Sequence, residues 1–130
     1  MNPLYATTHI GTLGELLVQI RLLEFDVQAA PPVKDSGNDL IAIRRMCFRA
    51  LQVKTTTDGS IVRPNVDLLY HILAVVWLRT SNGRYSTCDS SVYLFDRDDL
   101  NHVGWHLEQT PEYILNQSAI ERLFPNERNA

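Results

Sequence analysis

The sequence has few cysteines and no long apolar segment, and these shortages exclude several classes of protein. Cys47 and Cys88 are too few and too far apart to form a zinc site. The longest uncharged apolar stretch, residues 68–78, is much shorter than the roughly 20 residues that cross a bilayer. The N-terminus lacks the basic and apolar regions of a signal peptide. We therefore expect a cytoplasmic protein whose cysteines are reduced thiols.

The chain also lacks an overall positive charge, since its formal net charge at pH 7 is −3. Such a protein has no basic field over the whole molecule, so a nucleic acid would have to be held by a local patch. Arg44, Arg45 and Arg49 form the candidate patch, and no acidic residue lies between Arg44 and Lys54. We interpret these arginines as candidate phosphate contacts, with a solvated strand edge as the alternative interpretation.

The amino-acid composition is typical of a globular protein. Of the 130 residues, 45% are hydrophobic and 21% are charged, which differs from the low hydrophobicity and high charge of disordered chains. The length predicts a single domain. Residues 126–130 are polar, and we expect them to form a disordered tail.

A helix is predicted near the start of the chain. Thr12 and Glu15 have the spacing of a capping box, which predicts a helix from residue 8 or 12 to residue 25. Apolar residues lie nearly all round this helix, a pattern that is typical of a buried helix. Glu15 belongs to the remaining polar strip and should face something other than solvent.

Alternating and β-branched segments predict strands after this helix. The predicted strands cover residues 25–29, 39–45, 47–57, 71–78 and 91–95. The second and third should form an antiparallel hairpin, because only one or two residues near Met46 separate them. Residues 61–70 fit either a short helix or the approach to a strand. Thr110 is the predicted cap of a last helix that ends near Leu123. The predicted fold class is α/β, with a mixed central sheet flanked by helices.

The hairpin places polar side chains together. Pairing its arms about a turn near Met46 puts Asp39 opposite Val53 or Lys54. Side chains alternate along a strand, so Gln52 and Lys54 share one face. An acidic residue at the start of one arm should therefore lie close to an amide oxygen and an ammonium group on the other.

Glu15 would complete this group from the helix. Two carboxylates and a neutral oxygen suit Mg²⁺, for which Mn²⁺ can substitute. A lysine beside such an ion can stabilise the charge of a transition state or orient a water molecule. The reaction that this chemistry favours is phosphodiester hydrolysis.

At these residues the sequence resembles the PD-(D/E)XK nuclease superfamily, and within it the Holliday junction resolvases and their small relatives. The similar segments are residues 11–15, 37–40 and 52–55. The resemblance covers about the first sixty residues in detail and the rest only by the pattern of elements. It implies a restriction-endonuclease-like core of the αβββαβ type.

The resemblance also implies roles for individual residues. Asp39 would be the bridging metal ligand, and Val53 would offer its backbone carbonyl to the same ion. Lys54 would be the catalytic lysine, and Glu15 the carboxylate on the helix. Gln52 would lie in the catalytic and metal-binding group, at the position where most members carry Asp or Glu.

Two departures from the family pattern bear on activity. Asn38 replaces the proline of the family name. Gln52 removes one negative charge from the metal site, although some intron-encoded homing endonucleases of the superfamily carry the same Gln-x-Lys and resemble active enzymes.

The expected function is that of a Mg²⁺-dependent DNA endonuclease of the junction-resolving, restriction or homing type. Its substrate would be duplex or branched DNA, and cutting both strands favours a homodimer or a higher even oligomer. The alternative is a catalytically inactive module that binds DNA or regulates other proteins. In that case Glu15 would serve only as a capping-box residue, Asp39 as a turn residue and Lys54 as an edge residue.

Apolar residues near the end of the chain offer a surface for such a dimer, or else close the core of the monomer. They are Tyr93, Phe95, Tyr113, Ile114 and Leu115. His102 and His106 lack the acidic residue of a zinc-protease motif, and we interpret them as loop or packing residues.

Overall fold

One mixed sheet of five strands forms the centre of the protein. The computed structural model describes residues 3–34, 39–65 and 67–126. The helices and strands are α1 (Pro3–Leu23), β1 (Gln28–Ala30), β2 (Leu40–Arg44), β3 (Cys47–Thr56), β4 (Ile72–Ser81), β5 (Arg84–Asp96) and α2 (Gln117–Leu123). The strands lie side by side in chain order, with β3 and β4 parallel and the other neighbours antiparallel. The predicted α/β class, with a restriction-endonuclease-like core, is confirmed, but the described residues between β3 and β4 form no helix, so the element order differs from the predicted αβββαβ type.

The two faces of the sheet pack against different parts of the chain. The face that we call the helix face packs against α1 and α2, and its cluster includes Leu51 and Val53 of β3. The opposite face, which we call the loop face, is covered by irregular segments that contribute Ile61 and Leu107. β4 is buried on both faces from Ile72 to Leu78, as its β-branched sequence predicts.

The connection from β3 to β4 runs over the loop face. Of the two alternatives for residues 61–70, the described residues form no helix, and they lead into β4 at Ile72. The Arg63 guanidinium fixes this connection by donating to the carbonyls of Leu100, Val103 and Gly104 at 2.9–3.2 Å. A parallel pair of strands requires such a crossover, and here irregular chain provides it.

α1 differs from its prediction in two respects. It begins at Pro3 rather than at residue 8 or 12, so Thr12 lies inside the helix and does not cap it. Proline is well tolerated in a first helical turn, and no second proline follows it within α1. The prediction of a helix buried all round is also wrong, because Leu16, Ile20 and Leu23 are 50–62% exposed.

The β2–β3 hairpin is confirmed, but its predicted register is wrong. Leu40 lies opposite Leu51, whereas the predicted turn would put it opposite Gln52 or Val53. The turn consists of Arg45 and Met46 alone, between the paired residues Arg44 and Cys47. This tight turn requires a positive φ, and Arg45 adopts a φ of 57°.

The last helix starts later than the sequence predicts. Thr110 precedes a short 3₁₀ turn, Pro111–Tyr113, and α2 begins only at Gln117. Asn116 caps it, because its side chain accepts the Ala119 N–H at 2.8 Å. Residues 127–130 of the predicted tail lie outside the described residues.

The apolar residues offered above as a dimer surface belong largely to the protein's own core. Tyr93 is 8% exposed and Phe95 is fully buried. Tyr113 and Leu115 are half-buried, and Ile114 is 38% exposed. The alternative, in which these residues close the monomer's core, therefore describes their packing. In the described part of the chain, no helix is long and apolar enough to cross a membrane.

Candidate active site

The candidate site lies where β2 stops and β3 continues. β2 pairs with β3 only as far as Leu51, whereas β4 pairs with β3 from Leu51 to Thr56 on the other side. The second half of β3 therefore has one edge that no strand of the described residues covers. Backbone N–H groups at such an edge need another acceptor when they are partly buried.

Asp39 supplies that acceptor. Its backbone N–H donates to the Leu51 carbonyl at 2.8 Å, and its Oδ2 accepts the Val53 N–H at 2.8 Å. The side chain thus continues the ladder one step beyond the end of β2. A carboxylate has about four lone-pair positions, so this bond leaves acceptor capacity for a cation. The register that predicted Asp39 opposite Val53 or Lys54 is wrong, and it is the side chain of Asp39 that reaches Val53.

The backbone carbonyl of Val53 points to the same edge as the Asp39 carboxylate. In a strand, the N–H and C=O of one residue point to the same side, and the Val53 N–H points to Asp39. The backbone groups of the next residue along a strand point to the opposite edge. The even-numbered residues of β3 therefore face β4, as the hydrogen bond from the His71 N–H to the Ala50 carbonyl (2.8 Å) shows. Two oxygens of the predicted metal site therefore lie at one edge.

Gln52 and Lys54 share the loop face, as predicted from strand alternation. Their partners in β4 are Leu73 and Val75, which belong to the loop-face cluster. Gln52 is 9% exposed, and Lys54 is half-buried. The buried Gln52 and the half-buried Lys54 thus lie on either side of Val53 along β3.

Gly14 brings α1 close enough to β3 for Glu15 to reach the site. A Cβ at residue 14 would lie 1.8 Å from Thr55 Oγ1, so only glycine fits this approach without a shift. Glu15 follows directly, is half-buried, and lines a cavity of about 420 Å³ together with Val53 and Lys54. Glu15 and Lys54 thus line one cavity, with Lys54 on the loop face of β3 and Glu15 on the helix that packs against the helix face.

From the sequence, Gly14 is one residue of the family-like segment 11–15 and has no predicted role of its own. A signal was present, because a glycine inside a helix costs about 1 kcal/mol relative to alanine and often marks a close contact. Its function is to position Glu15 through the contact between helix and strand.

The structure divides the predicted arginine patch. Arg44 donates to the Phe124 carbonyl at 2.8 Å, and the Arg49 Nε donates to the Leu123 carbonyl at 3.1 Å. Both therefore satisfy carbonyls at the C-terminal end of α2, where cations are favoured. Arg45 is exposed in the hairpin turn. At about 3.3 Å per residue, Arg49 lies roughly 17 Å along β3 from Lys54. Phosphate binding by the three arginines stays a prediction.

His106 packs against the sheet and His102 is exposed in a loop, which agrees with their interpretation as loop or packing residues. The His106 ring meets Trp77 edge to face at 5.3 Å. Its Nδ1 accepts the Glu108 N–H, so its Nε2 carries the proton and donates to the Asp58 carbonyl at 2.8 Å. His106 is thus fully engaged in holding the loop that follows β3.

The predicted site residues provide five groups: the carboxylates of Glu15 and Asp39, the Val53 carbonyl, the Gln52 amide and the Lys54 ammonium. Among the described residues, no group of three or more His, Cys, Asp or Glu side chains is placed to hold a metal ion. Gly37 and Asn38 of the family-like segment lie outside the described residues.

Comparisons with known proteins bear on the fold. No protein-family model matches the chain, and no curated protein matches its sequence. A solved structure, that of the bacterial homing endonuclease I-Ssp6803I, is similar in fold with a TM-score of 0.52. The match covers 76% of this chain and 74% of that chain, at 14% sequence identity. The chain therefore has a nuclease-like fold, similar to that of this homing endonuclease.

Proposed function

We propose that this protein is a Mg²⁺-dependent endonuclease that hydrolyses phosphodiester bonds in DNA. The observation that carries the proposal is the placement of Asp39 against the Val53 backbone, with Gln52 and Lys54 on either side of it along β3. The fold similarity to a protein described as a bacterial homing endonuclease supports it. So does the resemblance of the same residues to the PD-(D/E)XK nucleases.

The available oxygens fit Mg²⁺. This ion commonly binds through one or two carboxylates and keeps several waters. Asp39, the Val53 carbonyl and the Gln52 amide oxygen would hold it at the open edge of β3, and Glu15 would add the second carboxylate from α1. When bound, Mg²⁺ would supply positive charge to the phosphoryl oxygens in the transition state. Mn²⁺ would suit the same donors.

Lys54 is the residue that we assign to the chemistry. It follows Val53 directly along β3 and lines the same cavity as Glu15. A positive charge beside the bound phosphate would stabilise the negative charge that develops on the phosphoryl group, and it could orient the attacking water by a hydrogen bond.

A DNA duplex or junction has two strands to cut, and one chain supplies one site. A two-fold dimer presents two sites in opposed orientation, so we propose that the active form is a homodimer or a higher even oligomer. The overall acidity of the chain is compatible with DNA binding only through local contacts.

One observation favours an inactive DNA-binding module instead. Gln52 is 9% exposed and neutral, where most nucleases of the resembling superfamily carry a carboxylate. A buried amide adds less attraction for a cation than a carboxylate does. A calorimetric titration with Mg²⁺ separates the two functions, because the module would take up no ion at Asp39.

The nuclease proposal is tested by cleavage of linear duplexes and four-way junctions with Mg²⁺, with EDTA as the metal-free control. The informative variant is Asp39→Asn, whose amide oxygen can still accept the Val53 N–H but carries no charge. We expect the wild type to cut at least one substrate with Mg²⁺ and the variant to lose cutting while remaining folded. Mg²⁺-dependent cleavage by folded Asp39→Asn at the wild-type rate would contradict the proposed site.

A further inference from the structure

A two-stranded ribbon, residues 79–86, extends beyond one end of the sheet. β4 pairs with β3 only as far as Trp77, which lies opposite Thr56. Beyond that level the last three residues of β4 pair with the first three of β5, and no third strand of the described residues flanks them. Asn82 and Gly83 join the two strands with φ angles of 53° and 75°, which suit a tight two-residue turn. The ribbon is therefore narrow, and its residues 79–85 are exposed.

Hydrogen bonds fix the base of the ribbon. The Arg79 N–H donates to the Ser90 Oγ at 2.9 Å, and that hydroxyl donates to the Ser86 carbonyl at 2.6 Å. Arg21 of α1 donates to the Thr87 carbonyl at 2.8 Å. These bonds lie where the register between β4 and β5 shifts. Because the base is held in this way, the ribbon should lose little conformational freedom when it binds a partner.

One face of the ribbon carries positive charge. Residues opposite each other in an antiparallel pair share a face, and side chains alternate along a strand, so Arg79 and Arg84 lie on one face together with Ser81. No ion pair between described residues involves either arginine. The ribbon contains no acidic residue, and Asp89 beyond it accepts the Ser86 hydroxyl at 2.7 Å.

This positive face continues the loop face of the sheet, where Lys54 also lies. The Arg79 guanidinium lies 3.8 Å from the centroid of the Trp77 ring, which belongs to the loop-face cluster. Lys54 pairs with Val75 of the neighbouring parallel strand, four residues before Arg79. At about 3.3 Å per residue, the ribbon begins roughly 13 Å beyond the level of Lys54. The ribbon and the proposed catalytic lysine are therefore at the same end of the sheet and on the same side.

We propose, on the basis of the nuclease function proposed above, that the ribbon enters the major groove of duplex DNA and that its two arginines donate to the DNA. The major groove of B-DNA is about 12 Å wide and about 8.5 Å deep, and it admits a two-stranded β-ribbon. Three residue pairs span about 10 Å, so the ribbon is long enough to reach the floor of the groove.

The position and the charge of the ribbon both suit this partner. Its distance from Lys54 along the sheet is comparable with the width of the groove, so a duplex that takes up the ribbon can present a backbone phosphate to the proposed site. The net charge of the chain is −3, and binding a polyanion therefore requires local positive charge of the kind that the ribbon carries.

The test compares two variants that each remove one exposed positive charge. Arg84→Gln alters the ribbon, and Lys34→Gln is the matched control outside it. Binding to a short fluorescent duplex is followed by anisotropy over a series of salt concentrations, in EDTA so that Mg²⁺-dependent cleavage does not intervene. Methyl green, which occupies the major groove, and netropsin, which occupies the minor groove, are the competitors.

We expect Arg84→Gln to bind about tenfold more weakly than the wild type, with a slope of log affinity against log salt that is smaller by about 0.9. Lys34→Gln should bind as the wild type does. Methyl green should displace the protein, and netropsin should not. Equal binding by the two variants, displacement by netropsin but not by methyl green, or no binding to the duplex would overturn the proposal.

Failure of the ribbon and failure of the nuclease function give different results. If binding depends on Arg84 but the wild type cuts no substrate with Mg²⁺, the ribbon serves an inactive DNA-binding module and the nuclease proposal is wrong. If the wild type cuts DNA while Arg84→Gln and Lys34→Gln bind alike, the nuclease proposal stands and the role of the ribbon is wrong.

Discussion

Gly14 sets the distance between α1 and β3, and replacing it with alanine tests how Glu15 is positioned. A Cβ at residue 14 would lie 1.8 Å from Thr55 Oγ1, about 1.6 Å short of ordinary van der Waals contact, and 3.0 Å from Thr55 Cβ. Rotation of the Thr55 side chain can move its oxygen but leaves its Cβ in place, so α1 must still shift. Gly11 is the matched control, because a Cβ there meets nothing within 4 Å.

Two opposing effects set the sign of the change in stability. Alanine is favoured over glycine in a helix by about 1 kcal/mol, whereas overpacking costs about 1–3 kcal/mol. With the close contact to Thr55, overpacking should dominate at residue 14. We expect Gly14→Ala to lower the free energy of unfolding by about 1–2 kcal/mol, and Gly11→Ala to raise it by up to about 1 kcal/mol.

Urea unfolding of the two variants measures this difference. A second substitution, Thr55→Ala, removes the hydroxyl and methyl groups in the way, so Gly14→Ala should cost less in the Thr55→Ala background. The double-mutant cycle gives the coupling between the two positions. Equal stability of Gly14→Ala and Gly11→Ala, with no coupling to Thr55, would show that α1 does not approach β3 this closely.

Three further predictions concern metal affinity, pH and assembly. Gln52→Glu should tighten Mg²⁺ binding in calorimetry, since a carboxylate adds Coulomb attraction, and equal or weaker affinity would remove Gln52 from the metal site. Hydrogen bonds from Ser60 and Thr56 hold the pKa of Asp58 well below its ordinary value, so its stabilising effect should be present above about pH 4 and lost on acidification. The gap in unfolding midpoint between wild type and Asp58→Ala should therefore narrow as pH falls below about 4, and a gap that stays constant would contradict this linkage. Light scattering should give about twice the 14.8 kDa chain mass or a higher even multiple, and a monomer that cuts both strands would rule out the need for a dimer.

The hairpin and the residues that it carries could be predicted from the sequence. Its arms alternate, few residues separate them, and alternation alone places Gln52 and Lys54 on one face. Its register could not be predicted to the residue. The turn depends on Arg45 adopting a positive φ of 57°, a conformation that arginine rarely takes.

The burial of α1 could not be predicted, because the helix is apolar on most sides and the sequence does not say which side meets the sheet. Gly14 decides this, and Leu17 and Val18, three and four residues later, are buried with it. The division of the arginine patch could not be predicted either, because the sequence does not show that Arg44 binds the Phe124 carbonyl while Arg45 is exposed in the hairpin turn.

We propose that the edge of β3 beside Asp39 cleaves phosphodiester bonds with the help of Lys54. The chain has two lysines, and the other, Lys34, is exposed, so it is a control matched in residue type. The decisive measurement is the single-turnover rate of Mg²⁺-dependent DNA cleavage by wild type, Lys54→Ala and Lys34→Ala. We predict a loss of at least about 100-fold for Lys54→Ala and a wild-type rate for Lys34→Ala. Equal rates for all three folded proteins would contradict the proposed role of Lys54.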